Sequence, residues 1–239
     1  MEPIAVRTLA RSIGIDCADT GTVTKISTDS REVEPGCLFV CIEGERFDGH
    51  DFAAKAIAGG AAYVVAHKSV EGVDPVRVFR VDNTMDANIR LAGAYRRQFS
   101  PLCVGVTGSV GKTTTKDLIA CVLSERWRTL KTPGNRNNEI GVPAALCEIT
   151  KETEALVIEM GMTAPGDVEK LAQAALPDIG VITWVGTSHI ERLGSRENIL
   201  RAKLELASSL RPGAPLILCA DNDLLGEVRQ AGQARIIRY

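Results

Sequence analysis

The sequence predicts an α/β protein built from two regions with parallel strands. Short apolar runs alternate with helical patterns through the second half of the chain, and a glycine-rich turn follows one run directly. The first region has shorter strands and one clear helix of its own. Because strands that alternate with helices favour parallel pairing, we expect a small α/β domain at 1–82, a connecting helix and linker at 83–101, and a P-loop-type parallel-sheet domain at 102–239.

The first region contains three segments with regular patterns. Asp51–Ala58 is alanine-rich and ends at two glycines, which predicts a helix. Tyr63–Ala66 predicts a buried strand, and the alternation over 76–81 predicts a half-buried one. Asp86–Phe99 has one apolar face and predicts the connecting helix, which Ser100-Pro101 ends.

The second region alternates apolar strands with helices. Strands are predicted at Leu102–Val106, Ala155–Ile158, Ile179–Ile182 and Leu216–Cys219. Helices are predicted at Lys116–Glu125, Gly166–Ala175 and Arg196–Leu210. In parallel sheets of this kind ligands bind beyond the carboxyl ends of the strands, so the residues that follow each strand are the candidates for function.

A phosphate-binding loop is the strongest such candidate. It comprises Thr107, Gly108, Ser109, Val110, Gly111, Lys112, Thr113 and Thr114, between a strand and a helix. Glycines let backbone N–H groups turn towards an anion, Lys112 can reach the outer phosphates, and the Thr113 hydroxyl can bind Mg²⁺. Val106 stands where the strict motif has glycine, so a glycine-rich turn with an exposed lysine is the alternative. The pattern favours a protein that uses a nucleoside triphosphate.

Four further groups have both a functional and a structural interpretation. Glu159 directly follows a strand, as a Mg²⁺ ligand or as a solvated charge. His189 lies in the loop after the next strand and could be structural. The amides of Asn135 and Asn138 could orient phosphates or simply form a turn. Lys203, by composition alone, is a solvated helix lysine.

Composition excludes several classes of protein. The net charge of −2 gives no basic surface for nucleic acid. No apolar run could span a bilayer, and the N-terminus lacks the pattern of a signal peptide. The seven cysteines are scattered without a Cys-x-x-Cys pair, which argues against zinc or a disulfide framework. We therefore expect a cytoplasmic protein that binds neither nucleic acid nor membranes, with no prediction of its oligomeric state.

Taken together, the segments resemble the Mur ligases, the ATP-dependent amide-forming enzymes of peptidoglycan synthesis. The two stretches Asn-x-Asn-Asn-x-Ile-Gly and Phe-Asp-Gly-His favour the branch that adds D-alanyl-D-alanine, and the branch that adds the third amino acid is the alternative. The segments that carry the resemblance are Ser27–Arg31, Pro35–Val40, Gly44–His50, Thr107–Thr113, Gly134–Gly141, Glu159–Gly161, Ser188–Glu191 and Ala202-Lys203.

The resemblance implies roles for individual residues. Lys112 and Thr113 would bind the phosphates of ATP and Mg²⁺, and Asn135 and Asn138 would lie at the nucleotide. Glu159 would bind Mg²⁺, and His189 a second Mg²⁺. Lys203 matches the carbamylated lysine of the family, a further metal ligand. The residues expected at a uridine nucleotide site are Ser30, Arg31, Asp48, Gly49 and His50.

The implied reaction joins a UDP-N-acetylmuramoyl-peptide to D-alanyl-D-alanine through an acyl phosphate.

The sequence departs from the family in two residues and in length. Trp184 and Cys219 depart from the family pattern, since asparagine is usual at both positions. The family has three domains, and the resemblance places Tyr239 inside the central one. We therefore expect an incomplete sheet at the C-terminus and inefficient ligation by this chain alone. The alternative is a non-catalytic nucleotide- or UDP-sugar-binding fragment; a P-loop kinase or GTPase would need motifs that the sequence lacks.

Overall fold

The computed structural model describes every residue from Met1 to Tyr239, and the chain forms two compact units. Unit 1 comprises Met1–Phe99 together with Leu146–Lys151. Unit 2 comprises Ser100–Ala145 and Glu152–Tyr239. The helix of the 83–101 segment therefore belongs to unit 1. No helix of the chain is both long enough and apolar enough to cross a membrane.

Unit 1 contains a four-stranded parallel sheet and a separate antiparallel strand pair. Its strands are β1 (Ile4–Ala5), β2 (Thr22–Val23), β3 (Lys25–Ser27), β4 (Cys37–Val40), β5 (Tyr63–Ala66) and β6 (Val78–Arg80). Its helices are α1 (Val6–Ser12), α2 (Ala53–Ala58) and α3 (Thr84–Arg96), with 3₁₀ turns at Gly49–Phe52 and Pro75–Arg77. The order in the larger sheet is β3-β4-β5-β6.

The structure confirms the strand predicted at Tyr63–Ala66 and shortens two other elements. The predicted helix at 51–58 begins at Ala53, after a 3₁₀ turn. The predicted strand at 76–81 is correct only at Val78–Arg80, because the Asp74 carboxylate accepts a hydrogen bond from the Val76 N–H at 3.0 Å. That local bond, with the fixed φ of a proline, favours a turn over an extended chain.

The core of unit 1 combines small and branched apolar side chains with buried aromatic residues. Phe39, Val64 and Cys37 of the sheet are buried in one cluster with alanines of α2. Tyr95 on α3 is fully buried, and its hydroxyl donates to the Ile149 carbonyl at 2.5 Å. This partner satisfies a polar group that would be costly to bury alone, which explains how the 146–151 segment joins unit 1.

Unit 2 is built on a six-stranded sheet whose strand pairs are all parallel. Its strands are β7 (Leu102–Thr107), β8 (Thr129–Lys131), β9 (Ala155–Glu159), β10 (Ile179–Ile182), β11 (Pro215–Leu218) and β12 (Arg235–Arg238), in the order β12-β11-β10-β7-β9-β8. The helices that begin in this unit are α4 (Lys112–Ser124), α5 (Gly141–Cys147), α6 (Asp167–Ala175), α7 (Ile190–Leu193), α8 (Arg196–Leu204) and α9 (Asp223–Glu227).

The four strands predicted for this region are confirmed, whereas β8 and β12 were not predicted. The predicted helix at 116–125 begins four residues earlier, at Lys112, and the one at 196–210 ends as α8 at Leu204 and continues as a 3₁₀ turn at Glu205–Ser209. Because β7 lies between β9 and β10, the residues that follow these three strands meet at one edge of the sheet.

Candidate functional site

The phosphate loop is held against the end of β10. Gly108 has φ 152°, and a Cβ at this position would lie 2.0 Å from Thr183 Oγ1. The Thr183 hydroxyl donates to the Val110 carbonyl at 2.6 Å, and the Ser109 N–H donates to the Trp184 carbonyl at 2.7 Å. Only glycine fits this close approach, so the loop conformation is fixed by a neighbouring strand rather than by the loop alone.

Helix α4 begins at the loop with an uncapped N-terminus. Gly111 precedes it in a left-handed conformation, with φ 80°. No side chain caps the helix, and its first turn carries no acidic residue. The Lys112 ammonium donates to the Gly108 carbonyl at 2.9 Å. Free N–H groups, the helix dipole and a lysine together favour an anion at this point.

Glu159, the last residue of β9, lies beside the start of α4 and is 1% exposed. Its Oε1 accepts hydrogen bonds from the Thr113 hydroxyl at 3.1 Å and from the Asn137 amide at 2.7 Å. Its Oε2 is buried without any hydrogen-bond donor. A buried carboxylate oxygen without a donor, close to a hydroxyl, fits a Mg²⁺ site, because Mg²⁺ takes oxygen ligands and keeps part of its water shell.

A lysine that sequence reasoning missed completes the surroundings of this carboxylate. Lys116 is fully buried, and its Nζ lies 3.5 Å from Glu159 Oε2. The predicted helix began at Lys116, where a lysine would ordinarily be solvated. Its spacing of three residues from Thr113, which places both on one helix face, was the available signal.

The asparagine-rich segment contacts the site through Asn137, which was not among the predicted site residues. Asn137 contacts Glu159, and its Oδ1 would lie 2.6 Å from a Cβ at Gly161, so a side chain there would displace it. Asn138 accepts hydrogen bonds from the Gly141 N–H at 2.8 Å and the Ile140 N–H at 3.2 Å, at the start of α5. Asn138 also lines the cavity described next, whereas Asn135 is exposed and does not.

A cavity of about 280 Å³ opens at this edge of the sheet. Its lining brings together three residues that are far apart in the sequence, Lys112, His189 and Lys203. Glu159 is joined to the same cavity through Asn137, which lines it. No three His, Cys, Asp or Glu side chains come close enough to hold a metal by themselves. A cation at this edge would therefore need oxygen ligands from outside these residue types, such as phosphates, hydroxyls or water.

His189 lies directly before α7 in a left-handed conformation, with φ 66°. It is exposed, and its neighbour Ser188 donates from its hydroxyl to the Ser109 carbonyl at 3.4 Å. Histidine occupies this backbone region more readily than most residues, and such conformations concentrate at functional sites. The geometry places an imidazole on the same cavity as the phosphate loop.

Lys203 on α8 is only 2% exposed, so the interpretation as a solvated helix lysine is wrong. Burial, together with the positive charge of Lys112, lowers the pKa of Lys203 to about 7. A large fraction of this amine is consequently neutral near pH 7. A neutral amine is a nucleophile, which is the form that reacts with carbon dioxide.

The residues predicted for a uridine site lie in unit 1, where two of them, Asp48 and His50, are hydrogen-bonded to each other. Asp48 accepts hydrogen bonds from the backbone N–H of His50 at 2.9 Å and from its Nδ1 at 2.6 Å, and it pairs with the Lys68 ammonium. Burial alone would raise the pKa of Asp48, but these donors hold it well below its usual range. A Cβ at Gly49 would lie 2.7 Å from the Ile42 nitrogen, so this turn is closely packed.

The other two predicted uridine-site residues are more accessible. Arg31 is 82% exposed, and it binds the Asp29 carboxylate with Nε at 2.9 Å and with its terminal nitrogen at 2.6 Å. Ser30 is half-buried between them. These residues follow β3, while Asp48 and His50 follow β4, so both groups lie beyond the carboxyl ends of neighbouring parallel strands.

Comparisons with known proteins place both units in one family of sequences. Residues 106–239 match the Mur ligase middle domain, and residues 22–96 match the catalytic domain of the Mur ligase family. A UDP-N-acetylmuramoyl-tripeptide–D-alanyl-D-alanine ligase from Synechocystis sp. is 44% identical over 219 residues, which are 91% of this chain and 48% of that protein.

Solved structures agree with the sequence matches. MurF from Acinetobacter baumannii superposes with a TM-score of 0.89 at 31% identity, covering 100% of this chain and 53% of that one. MurF ligase from Thermotoga maritima, in complex with ADP, gives a TM-score of 0.81 at 37% identity, covering 90% and 49%. The chain thus spans about half the length of the relatives that it matches.

Proposed function

This chain belongs to the Mur ligase family, and we propose that it forms the UDP-substrate and nucleotide-binding part of a ligase that uses ATP to join D-alanyl-D-alanine to UDP-N-acetylmuramoyl-tripeptide. The observation that carries this proposal is the uncapped start of α4 beside the orphaned oxygen of Glu159. The proposed substrates are those in the name of the relative from Synechocystis sp., a UDP-N-acetylmuramoyl-tripeptide–D-alanyl-D-alanine ligase.

The proposed chemistry requires two anions, ATP and a peptide carboxylate, to approach each other. The carboxylate oxygen attacks the γ-phosphorus, the bond to ADP breaks, and an acyl phosphate forms. The amine of D-alanyl-D-alanine then attacks the acyl carbon, phosphate leaves and the amine loses a proton. Lys112 and the loop N–H groups offset the phosphate charge and fix its geometry, which is the main demand of phosphoryl transfer.

We propose that Thr113 and Glu159 hold Mg²⁺ beside the start of α4. Oε2 of Glu159 would provide the charged ligand, and the Thr113 hydroxyl, now donating to Oε1, would provide the neutral one. Bound Mg²⁺ supplies positive charge that neutralises the phosphates. His189, which lines the cavity together with Lys112, is proposed to help hold a second Mg²⁺.

Lys203 is proposed to react with carbon dioxide, so that its nitrogen bonds to the carbon, a proton is released and a carbamate forms. The depressed pKa of about 7 supports this reaction, because it supplies neutral amine at neutral pH. Incubation with ¹³C-bicarbonate should give a carbamate carbonyl resonance in the unaltered protein. The Lys203→Arg variant should lack this resonance, whereas Lys131→Arg, at a half-exposed lysine, should retain it.

In unit 1, Ser30, Arg31 and the Asp48–His50 turn are proposed to bind the uridine nucleotide. Arg31 is exposed and can exchange its Asp29 partner for a phosphate, which suits a guanidinium fork. The Asp48–His50 turn is closely packed and internally hydrogen-bonded. We therefore propose that it contributes to the nucleotide site by fixing the backbone of the loop that follows β4.

The test is the purified protein with ATP, Mg²⁺, UDP-N-acetylmuramoyl-tripeptide and D-alanyl-D-alanine, with mass spectrometry of the nucleotide product. A product extended by D-alanyl-D-alanine supports the proposal. If a product forms only when the corresponding dipeptide substrate and a single diamino acid are supplied, the result would instead support the branch that adds the third residue. Binding of ADP and of the UDP-peptide without any product agrees with the proposed binding role and with inefficient ligation by this chain alone, whereas binding of neither would contradict the proposal.

A further inference from the structure

A buried ion pair links Lys116 to Glu159. Both side chains are removed from water, with 0% and 1% of their surface exposed, and the Lys116 Nζ lies 3.5 Å from Glu159 Oε2. The Nζ is close enough for a strong charge interaction, but it makes no hydrogen bond to Oε2. The positive charge therefore compensates the carboxylate while the lone pairs of Oε2 stay open.

The ammonium of Lys116 is held by a different acceptor. It donates to the Gly134 carbonyl at 2.5 Å, at the start of the segment that contains Asn137. Lys116 thus connects three segments: it lies on α4, it is hydrogen-bonded to the asparagine-rich segment, and it pairs with the carboxylate at the end of β9. A buried ammonium with one neutral acceptor and one buried carboxylate nearby costs free energy to maintain, and removing either buried charge leaves the other uncompensated, which is strongly destabilising.

The rest of the charge around Lys116 lies outside the core. Asp117 Oδ1 is 3.6 Å from the Lys116 Nζ and 2.8 Å from the Lys131 Nζ. Asp117 and Lys131 are each about half exposed, so water screens their interactions. Glu159 is consequently the one carboxylate that Lys116 meets in a buried setting, and the interaction between these two dominates.

We propose that Lys116 is a positioning residue for the magnesium site, an inference that rests on the function proposed above. It holds the Glu159 carboxylate in the orientation that turns Oε1 towards Thr113 and Asn137 and leaves Oε2 open to a cation. Without the ammonium, a buried carboxylate with one orphaned oxygen would turn towards other donors, and the ligand geometry for Mg²⁺ would be lost.

The experiment is calorimetric titration of ADP into the protein, once with Mg²⁺ and once with EDTA. In the Lys116→Met variant, which keeps the length of the side chain, we expect the Kd for ADP to rise about tenfold with Mg²⁺ and to change less than about twofold with EDTA. The matched control, Lys131→Met, removes the exposed partner of Asp117 and should leave both values unchanged.

Repeating the substitution in the Glu159→Gln variant distinguishes a role of Lys116 in positioning Glu159 from a role in overall stability. Because Lys116 acts through Glu159, adding Lys116→Met to Glu159→Gln should change the Kd for ADP in Mg²⁺ by less than about twofold. An equal loss with and without Glu159, or an equal loss in EDTA, would overturn the proposal. Lys116→Gln keeps a donor for Gly134, so it replaces Lys116→Met if that variant does not fold, with the same results expected.

The outcome for the unaltered protein distinguishes this inference from the function on which it rests. No ADP binding with Mg²⁺ would overturn both the proposed nucleotide site and the role of Lys116. Binding that depends on Mg²⁺, with full affinity retained in Lys116→Met or Lys116→Gln, would overturn the role of Lys116 alone.

Discussion

The hydroxyl of Thr113 donates a hydrogen bond to Glu159 Oε1 at 3.1 Å, across a separation of 46 residues in the chain. One residue lies in the first turn of α4 and the other ends β9. Their contact joins the phosphate loop to the carboxylate that is the best candidate for a Mg²⁺ ligand.

Replacing Glu159 by Gln should remove the Mg²⁺ dependence of nucleotide binding. Glutamine keeps an oxygen for the Thr113 and Asn137 donors but loses the negative charge that a divalent cation requires. We expect the Kd for ADP with Mg²⁺ to rise by about tenfold or more, equivalent to about 1.4 kcal/mol, and the Kd with EDTA to stay the same. Calorimetry under both conditions checks this, and an unchanged response to Mg²⁺ would exclude Glu159 as a ligand.

Replacing Gly108 by Ala should destabilise unit 2 more than a comparable change elsewhere. The added Cβ would lie 2.0 Å from Thr183 Oγ1, so the loop must move away from β10. The control is Gly213→Ala, also at a positive φ, where nothing lies within 4 Å. We expect Gly213→Ala to lower the free energy of unfolding by about 1 kcal/mol from backbone strain alone, and Gly108→Ala by about 3 kcal/mol. Denaturant unfolding measures both; equal effects would mean that the close contact with Thr183 is not limiting.

The local patterns predicted most of unit 2. Apolar runs flanked by turns are a property of neighbouring residues, so the strands at Ala155–Glu159 and Ile179–Ile182 could be recognised directly. The edge strands β8 and β12 could not, because Thr129–Lys131 is short and the isoleucines of β12 are flanked by arginines. Without a longer apolar run, only pairing with the sheet makes such segments extended.

Site residues could be predicted from the sequence only where they belong to a continuous motif or directly follow a recognisable strand. Gly108 to Thr113 lies in one continuous motif, and Glu159 ends a strand. The burial of Lys116 depends on the carboxylate of Glu159, 43 positions further along the chain, and on the Gly134 carbonyl. The residues next to Lys116 in the sequence give no sign of either contact. Similarly, Asn137 differs from Asn135 and Asn138 only through tertiary contacts, so residue type could not separate the three.

The stability of the protein should depend on pH through Lys203. Its pKa falls from 10.5 to about 7 on folding, so between these values the unfolded state binds more protons than the folded state. The penalty of burying the charge is complete below about pH 7 and decreases as the pH rises towards 10.5. The free energy of unfolding of the unaltered protein, minus that of Lys203→Met, should therefore increase from pH 7 to pH 10.

This measurement requires CO₂-free buffer, so that the carbamate does not replace the free amine. Lys131→Met, which removes a half-exposed lysine, serves as the control and should show no such trend. A difference between the unaltered protein and Lys203→Met that stays constant over this range would contradict a depressed pKa at Lys203.

In unit 1, Asp48→Asn should lower stability near neutral pH. The Asp48 pKa lies below its unfolded value, so its contribution is complete above about pH 4 and disappears as the pH falls further. Asparagine still accepts from His50 but loses the charge that pairs with Lys68, which we expect to cost about 1 kcal/mol. The control Asp29→Asn breaks a pair with the highly exposed Arg31 and should cost less than about 0.5 kcal/mol. Equal losses in the two variants would contradict the structural role given to the Asp48–His50 turn.

The central claim is that the loop from Thr107 to Thr114 is a working nucleotide site, and titration of ADP with Mg²⁺ into the unaltered protein and Lys112→Ala tests it most directly. The Lys112 ammonium donates a hydrogen bond to the Gly108 carbonyl, and it can exchange this neutral acceptor for a phosphate. We expect measurable binding in the unaltered protein and a loss of about 1.5–3 kcal/mol in the variant, with Lys131→Ala as a control that binds normally. Equal affinity of Lys112→Ala and the unaltered protein, or no binding by either, would contradict the claim.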